Sequence, residues 1–349
     1  MSEGNMQERI QSCISPLLKW FIQNRRMFPW RQDKDPYHVW VSEIMLQQTR
    51  IEAAKEYYIR FMKELPDVQS LCDASQEKLL KLWEGLGYYS RAKNLHKAAK
   101  TIVEQYSGHF PDHYRDLLKL SGIGEYTAGA IASICFGEKV PAVDGNVLRV
   151  LSRILGSDKN VLLPEVKKEM TALLCAVMPE EAGDFNEALM ELGETVCLPN
   201  GAPDCDHCPL QKFCIAYEKD LTKELPVRIK KQTRTTEYMT VLLIVSSQGH
   251  IALEKRTEKG LLSGMYQLPN LSGRAEIDSI AVILEQWHLK VLSIEELGEA
   301  KHIFTHKEWR MKGVRVVTEN ESECFLWASK EDLHKKYPLP TAFRHFNLV

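Results

Sequence analysis

Four cysteines, Cys197, Cys205, Cys208 and Cys214, crowd into one short stretch with the spacing C-x7-C-x2-C-x5-C. Thiols this dense cannot all be core side chains. The N-terminus, Met1 to Arg9, is polar, carries Glu3 and Glu8, and shows no secretory pattern, so a reducing compartment is expected and paired disulfides are not. Metal ligation is the remaining chemistry. Structural zinc is usually held by two C-x2-C knuckles, whereas here there is one, flanked by longer and unequal spacers. That favours a [4Fe-4S] cluster held by four cysteines over zinc. Asp206, His207 and Lys212 lie in the same loop, but a histidine ligand is less suited where four sulfurs suffice. Cys13, Cys72, Cys135, Cys175 and Cys324 are scattered, mostly among apolar neighbours, and are expected to be reduced core thiols.

A chain of 349 residues predicts about two domains. Its 44% hydrophobic and 26% charged residues exclude disordered and fibrous classes. No apolar run reaches the roughly 18 residues that span a bilayer, so a soluble intracellular protein with no membrane partner is expected. Lys plus Arg is 45 against 47 for Asp plus Glu, a formal net charge of −2. Bulk charge therefore does not announce nucleic acid, and any such reading rests on motifs.

From Ile10 to about Tyr217 the apolar spacing is helical: Ile14, Leu17, Leu18, Phe21 and Ile22 share a face, as do Leu79, Leu80, Leu82 and Trp83, and later Val147, Leu148, Val150, Leu151, Ile154 and Leu155. Glycine and proline punctuation cuts the region into short helices. Between Leu221 and Thr236 the basic residues Lys223, Arg228, Lys230, Lys231 and Arg234 face Glu224 alone, a run that suits either plain solvation or a DNA backbone contact. From Glu237 the period becomes that of strands, in YMTVLLIVS, IALEKR, KVLSIEEL, VRVVT and CFLWAS, with one helical stretch at Ile277 to Leu289. The predicted organisation is multidomain: an all-α domain over 1–220, a basic linker over 221–236 and an α+β domain over 237–349.

Three further motifs carry chemistry. In LLKLSGIGEYTAGAIAS, Gly122 and Gly124 separate two helical runs, which predicts a helix-hairpin-helix whose second helix can turn amides toward a phosphate. A glycine-capped helix joined to the next has the same spacing. In PAVDGNVLRVLSR, Asp144 and Asn146 flank Gly145 before an amphipathic helix. A plain N-cap accounts for Asp144 there, and a helix start also keeps an acid ionised. In FPWRQDKDPYHVWVSEIMLQQTR, the helix that turns Trp40, Ile44 and Met45 inward places Glu43 and Gln47 on one face. Glu43 is either a surface carboxylate or the partner acid of Asp144.

WVSEIMLQQTR, EGLGYYSRAKNL, SGIGEYTAGAIAS, PAVDGNVLRVLSR and FNEALMELGETVC, in this order and followed by the cysteine loop, closely resemble the MutY family of adenine DNA glycosylases in the endonuclease III, helix-hairpin-helix superfamily. The resemblance covers about residues 10 to 217 and resumes in HIFTHKEWRM. It implies a helical glycosylase domain, made of a six-helix barrel module and an iron-sulfur module, followed by a Nudix-like mismatch-recognition domain. It also implies a [4Fe-4S] cluster on Cys197, Cys205, Cys208 and Cys214. On the family's pattern Glu43 matches the general acid and Asp144 the second carboxylate, with Tyr126 and Asn146 beside them. Gln48 and Tyr88 match residues that wedge into the duplex, while Trp30, Arg31, Leu46 and Glu187 match positions at the pocket or its mouth. Phe304, Thr305 and His306 match the loop that contacts the opposite base. Three departures stand out: seven residues after Cys197 where six are usual, Ser121 in place of the hairpin's usual proline, and Thr305 in place of serine.

The function implied is monofunctional excision of adenine mispaired with 8-oxoguanine or guanine, by a monomer acting on double-stranded DNA in a bacterial cytoplasm. The alternative is a bifunctional glycosylase and AP lyase for damaged pyrimidines, which in the superfamily carries a lysine where this chain has Tyr126. A noncatalytic DNA-binding protein with structural zinc is a third reading, opposed by the presence of both carboxylates. The helix at 277–290 offers Glu285 as its only glutamate, too few for the magnesium site of a Nudix hydrolase.

Overall fold

A computed structural model of the chain describes residues 2–199, 201–229, 234–257 and 260–346. Lys230 and Lys231 of the basic run lie outside the described residues. The chain divides into two compact units, Met1–Asp73 with Asn94–Lys230, and Ala74–Lys93 with Lys231–Val349. The strip 74–93, helical in its spacing like its neighbours, thus packs with residues far along the chain. Lys81 Nζ donates to the carbonyls of Leu333 at 2.8 Å and Tyr337 at 3.2 Å. Glu84 accepts from the Leu339 amide at 3.1 Å and pairs with Arg344 at 2.9 Å. Periodicity reports which face of a helix is buried and not what buries it.

The first unit is helical. Helix Glu3–Asn24 buries Ile10, Cys13, Ile14, Leu17 and Phe21; Ile22, expected on that stripe, is 71% exposed, because one residue past Phe21 turns it about 100° away. Every residue from Val147 to Leu155 of helix Gly145–Leu155 is buried, Arg149 and Arg153 included. This helix shares one core with Glu3–Asn24 and with Ala182–Thr195, from which Phe185, Leu189 and Leu192 enter. Gly193 lets the last two helices touch: a Cβ there would stand 2.7 Å from Asn146 Cβ. The five scattered cysteines do not behave alike. Cys13 is buried, Cys72 and Cys135 are half-buried, and Cys175 and Cys324 are exposed, so the expectation of core thiols fails for the last two, whose neighbours along the chain are apolar while their own positions face water.

In the second unit the described residues form a mixed sheet of β1 (Thr235–Ser246), β2 (Ile251–Lys255), β3 (Tyr266–Gln267), β4 (Asn270–Ser272), β5 (Val291–Ile303), β6 (Lys307–Thr318) and β7 (Leu326–Ala328). The order is β3-β2-β1-β6-β5, with β4 on β1 and β7 on β2. Strand β1 runs parallel to β6, and the other pairs are antiparallel. Alternate residues of β1 serve two cores: Val241 and Leu243 meet Leu333, Tyr337 and Phe343 on one face, and Leu242 and Ile244 meet Ile280 and Leu284 of helix Ile277–Gln286 on the other. Both faces are covered, which is why this strand reads as a continuous apolar run. Among the described residues no helix is long and apolar enough to cross a membrane.

Candidate active site

Glu43 and Asp144 line one cavity of about 650 Å³ in the helical unit, together with Arg25, Trp30, Arg31, Tyr126, Asn146 and Glu187. Helix Pro36–Leu46 starts on the N-cap Asp35, whose side chain accepts from Tyr37 N, with Pro36 at its first position. Its inward face buries Trp40, Ile44 and Met45 and carries Glu43 to the cavity wall. The helix stops at Leu46, so Gln47 lies just beyond it rather than one turn above Glu43. Gln47 still lines the cavity, and its Nε2 is 3.4 Å from Thr127 Oγ1. Leu46 and Gln48 line it as well.

The Glu43 side chain is buried, and burial pushes its carboxyl up from 4.5 to about 7. Tyr126 opposes that shift, the negative charges of Asp144 and Glu187 add to it, and Arg31 opposes it. Tyr126 comes from helix Glu125–Phe136, the second helix of the hairpin, and donates its hydroxyl to Glu43 Oε2 at 2.5 Å. Burial, then Glu43 and Asp144, holds that phenol well above its usual range, so it stays a donor.

Asp144 is the N-cap of helix Gly145–Leu155: Oδ1 accepts from the amides of Asn146 and Val147, each at 2.8 Å. Oδ2 accepts from Asn146 Nδ2 at 2.9 Å. The cap and the cavity-lining acid are therefore one residue. Burial raises its pKa against the pull of the two amides, Arg149 and Asn146; the helix start alone predicts the opposite direction, and desolvation outweighs it. Asn146 Oδ1 accepts from Arg149 Nη2 at 2.9 Å, and Arg149 also donates to the carbonyls of Gly193 and Cys197, each at 2.8 Å. One buried arginine thus joins the Asp144 turn to the start of the cysteine loop.

Trp30 is buried in a 3-10 turn, Pro29–Arg31, stacked on Phe28 with ring centres 5.0 Å apart. Arg31 pairs through Nε with Glu187 Oε1 at 2.8 Å and donates from Nη1 to Glu191 Oε2 at 2.9 Å. Gln48, with φ 58°, and Tyr88, with φ 47°, both occupy left-handed backbone, a conformation that costs non-glycine residues free energy and concentrates at functional positions. In the hairpin, Gly122 has φ +77°, and a Cβ there would strike Asn94 Cβ at 2.5 Å. Gly124 is different: it is the extended N-cap of Glu125–Phe136, and a Cβ would meet nothing within 4 Å. In the second unit Phe304, Thr305 and His306 form the turn between β5 and β6. Phe304 packs edge-on against Trp309 and His302, each with ring centres 4.7 Å apart, and Thr305 Oγ1 lies 2.9 Å from the exposed Tyr88 hydroxyl.

Cys197, Cys205, Cys208 and Cys214 border one small cavity of about 30 Å³ that also touches Arg153. Among the described residues no three His, Cys, Asp or Glu side chains close on a point as ligands of a single ion. Arg153 Nη1 lies 3.1 Å from Cys197 Sγ and donates to Leu198 O at 3.0 Å. Four cysteines around one small cavity, with the buried Arg153 guanidinium beside Cys197, have the chemistry of an anionic group bound through thiolates. His207 pairs with Asp204, at 2.9 Å, and lies on the exposed side of the loop.

Sequence reasoning passed over Arg149, Met190 and Glu191. Met190 stands one turn from Glu187 in FNEALMELGETVC, the spacing by which a helix face could have revealed it.

A buried Glu43 and a half-buried Asp144 line one cavity beside the helical hairpin, an arrangement that suits a base excision DNA repair protein. Residues 41–176 match the family described as HhH-GPD superfamily base excision DNA repair protein, and residues 240–347 match the NUDIX domain. The adenine DNA glycosylase of Arabidopsis thaliana is 38% identical over 83% of this chain and 54% of its own. That of Mus musculus is 35% identical over 88% and 74%, and that of Buchnera aphidicola subsp. Schizaphis graminum 34% over 83% and 83%. The chain belongs to the adenine DNA glycosylase family. It spans about half the plant relative and most of the other two. Among solved structures, a thermostable thymine-DNA glycosylase matches 63% of this chain and 100% of its own, at 28% identity and a TM-score of 0.55. An endonuclease III-DNA complex, at 22% identity and a TM-score of 0.52, shares the fold.

Proposed function

We propose that this chain is a monofunctional DNA glycosylase of base excision repair that flips out adenine mispaired with 8-oxoguanine or guanine and hydrolyses its N-glycosidic bond. The carrying observation is the buried Glu43, held by Tyr126 and lifted to about 7, lining the same cavity as Asp144. A carboxylic acid with that acidity is protonated at neutral pH to a useful extent and can give its proton to N7 of adenine, a poor leaving group otherwise. Asp144 accepts every hydrogen bond it makes to Asn146 and Val147, the pattern of a carboxylate, and faces the positive charge that grows on the sugar. It stabilises that charge or traps it covalently, as paired carboxylates do in glycoside hydrolysis. Asn146 orients Asp144, and Trp30, Arg31, Leu46 and Glu187 enclose the base.

Adenine reaches such a cavity only outside the base stack, at a cost of a few kcal/mol. Gln48 and Tyr88, already in left-handed backbone, are the residues proposed to fill the gap, and the amides beyond Gly122 and Gly124 to hold a phosphate. Phe304, Thr305 and His306 are proposed to choose what lies opposite. The tyrosine at position 126 is committed to Glu43 and supplies no amine for a lyase Schiff base, against the bifunctional alternative.

The thiolates of Cys197, Cys205, Cys208 and Cys214 are proposed to hold a [4Fe-4S] cluster, which when bound fastens the loop and carries no step of the hydrolysis. The working division of the chain is a glycosylase domain within 1–220, less the strip 74–93 that packs with the C-terminal residues, a linker over 221–236 and a mismatch-recognition domain over 237–349, acting as a cytoplasmic monomer on the nucleoid. A single-turnover assay on duplexes bearing A opposite 8-oxoguanine, A opposite G and thymine glycol tests the reading. Release of adenine from the first two and no strand cleavage at the third is expected; thymine glycol release with strand cleavage overturns it.

A further inference from the structure

Helix Ala182–Thr195 turns Glu187, Met190, Glu191 and Glu194 toward the cavity, the spacing of one helical face. The three acids differ in exposure: the side chains of Glu187 and Glu194 are 14% and 34% exposed, that of Glu191 only 1%. A carboxylate so far from water is costly unless both oxygens are paired. Both are: Oε1 takes Arg26 Nε, and Oε2 takes Arg31 Nη1 at 2.9 Å. Arg26 also reaches Glu194 Oε2 at 2.7 Å.

The consequence falls on Arg31. Its Nη1 donates to Glu191 and, at 3.0 Å, to the carbonyl of Arg26; its Nε pairs with Glu187; and its guanidinium lies over the Phe28 ring, 5.2 Å from the centroid. With Nε and Nη1 engaged, Nη2 has no hydrogen-bond partner among the described residues. Beside it stands Glu187, an acceptor on the cavity wall. Donor and acceptor side by side match an edge of adenine, where the N6 amino group adjoins a ring nitrogen acceptor. They oppose guanine, which carries an oxygen at that position. The match holds only while the planar fork of Arg31 keeps its rotation, and Glu191 is the group that fixes it.

We infer that Glu191, clamped by Arg26, is a positioning residue that sets the preference for the 6-amino group by fixing Arg31 against Glu187. The inference rests on adenine as the excised base. It is tested with two duplexes opposite 8-oxoguanine, one with adenine and one with purine, which lacks the amino group and keeps N7. Glu191→Gln retains size while removing the charge that holds two guanidinium groups. Its single-turnover rate on adenine should fall at least about tenfold more than its rate on purine, the scale of a displaced polar contact. Arg26→Gln takes one guanidinium from the buried Glu191, so its melting temperature is compared with the parent's, and the folded variant should narrow the adenine to purine ratio in the same direction. A parallel loss on both substrates, or an unchanged ratio in Arg26→Gln, overturns the positioning role. Failure of the parent protein to release adenine from any duplex overturns the reading beneath it as well.

Discussion

Tyr126 donates its hydroxyl to Oε2 of Glu43 at 2.5 Å, and this contact restrains a pKa that burial would otherwise raise further. Excision that needs the protonated acid is present below a pH of about 7 and declines as the pH rises through that value. Tyr126→Phe removes a donor that favours the carboxylate, so the acidity of Glu43 weakens and the alkaline limb should move to higher pH. Single-turnover rates between about pH 6 and 9 check this. A limb displaced to lower pH would show that the phenol acts in another way.

Glu43→Gln should abolish excision and leave affinity for the mispair largely intact, because the amide keeps the size and cannot deliver a proton. The same change should affect stability. A carboxyl raised from 4.5 to about 7 in the folded chain binds more protons folded than unfolded across that window. Its contribution is therefore full below about 4.5 and lost as the pH rises through about 7, by roughly 3 kcal/mol. Against the parent, the variant should be more stable at pH 8 and little different at pH 4.5 in denaturant titrations. Equal stability at both would mean that the carboxyl is not desolvated.

The local settings of the two acids were legible in the sequence, Asp144 as an N-cap before an apolar stripe and Glu43 on a helix whose inward face is plain, while their pairing came from the family resemblance. The strands were legible for the same reason, through a period of two. Arg149 and Glu191 were not, because on a helix a buried charged residue has the same spacing as an exposed one, and only the partners Cys197, Arg26 and Arg31, far away in sequence, distinguish them. The strip 74–93 was misplaced for a related reason. Its partners, from Lys255 to Arg344, leave no mark on its own period.

Asp144→Asn should also stop the chemistry while sparing the fold, since asparagine caps a helix about as well as aspartate. A neutral amide neither stabilises nor traps a cationic sugar. Excision at the parent rate, with an unchanged melting temperature, would leave Asp144 as a cap alone.

Cys205→Ser should remove one of four thiolate ligands, and with it the visible absorption near 400 nm expected of the purified protein. Because Arg149 and Arg153 both donate to the Cys197 to Leu198 turn, the disturbance should appear as lower solubility and weaker DNA binding rather than as a change of substrate. Unchanged iron content would refute the ligand assignment.

The selectivity for the opposite base is the hardest requirement on such an enzyme, since adenine also occurs in every A·T pair and an adenine pocket cannot tell them apart. Discrimination must come from contacts on the other strand. The Phe304 to His306 turn offers a hydroxyl and an imidazole at its tip, while Phe304 is anchored between His302 and Trp309. Thr305 is poised by Tyr88 at 2.9 Å, so its hydroxyl has a partner before DNA arrives and can exchange it for an atom that differs between guanine and 8-oxoguanine. Replacing Thr305 and His306 together by Ala should reduce the preference for A opposite 8-oxoguanine over A opposite G by about 1 to 3 kcal/mol, the scale of one good base contact. Rates and affinities on both duplexes, for the parent and the double variant, measure it. A preference that survives the double change would place the discriminating contact elsewhere in the molecule and leave the turn a structural one.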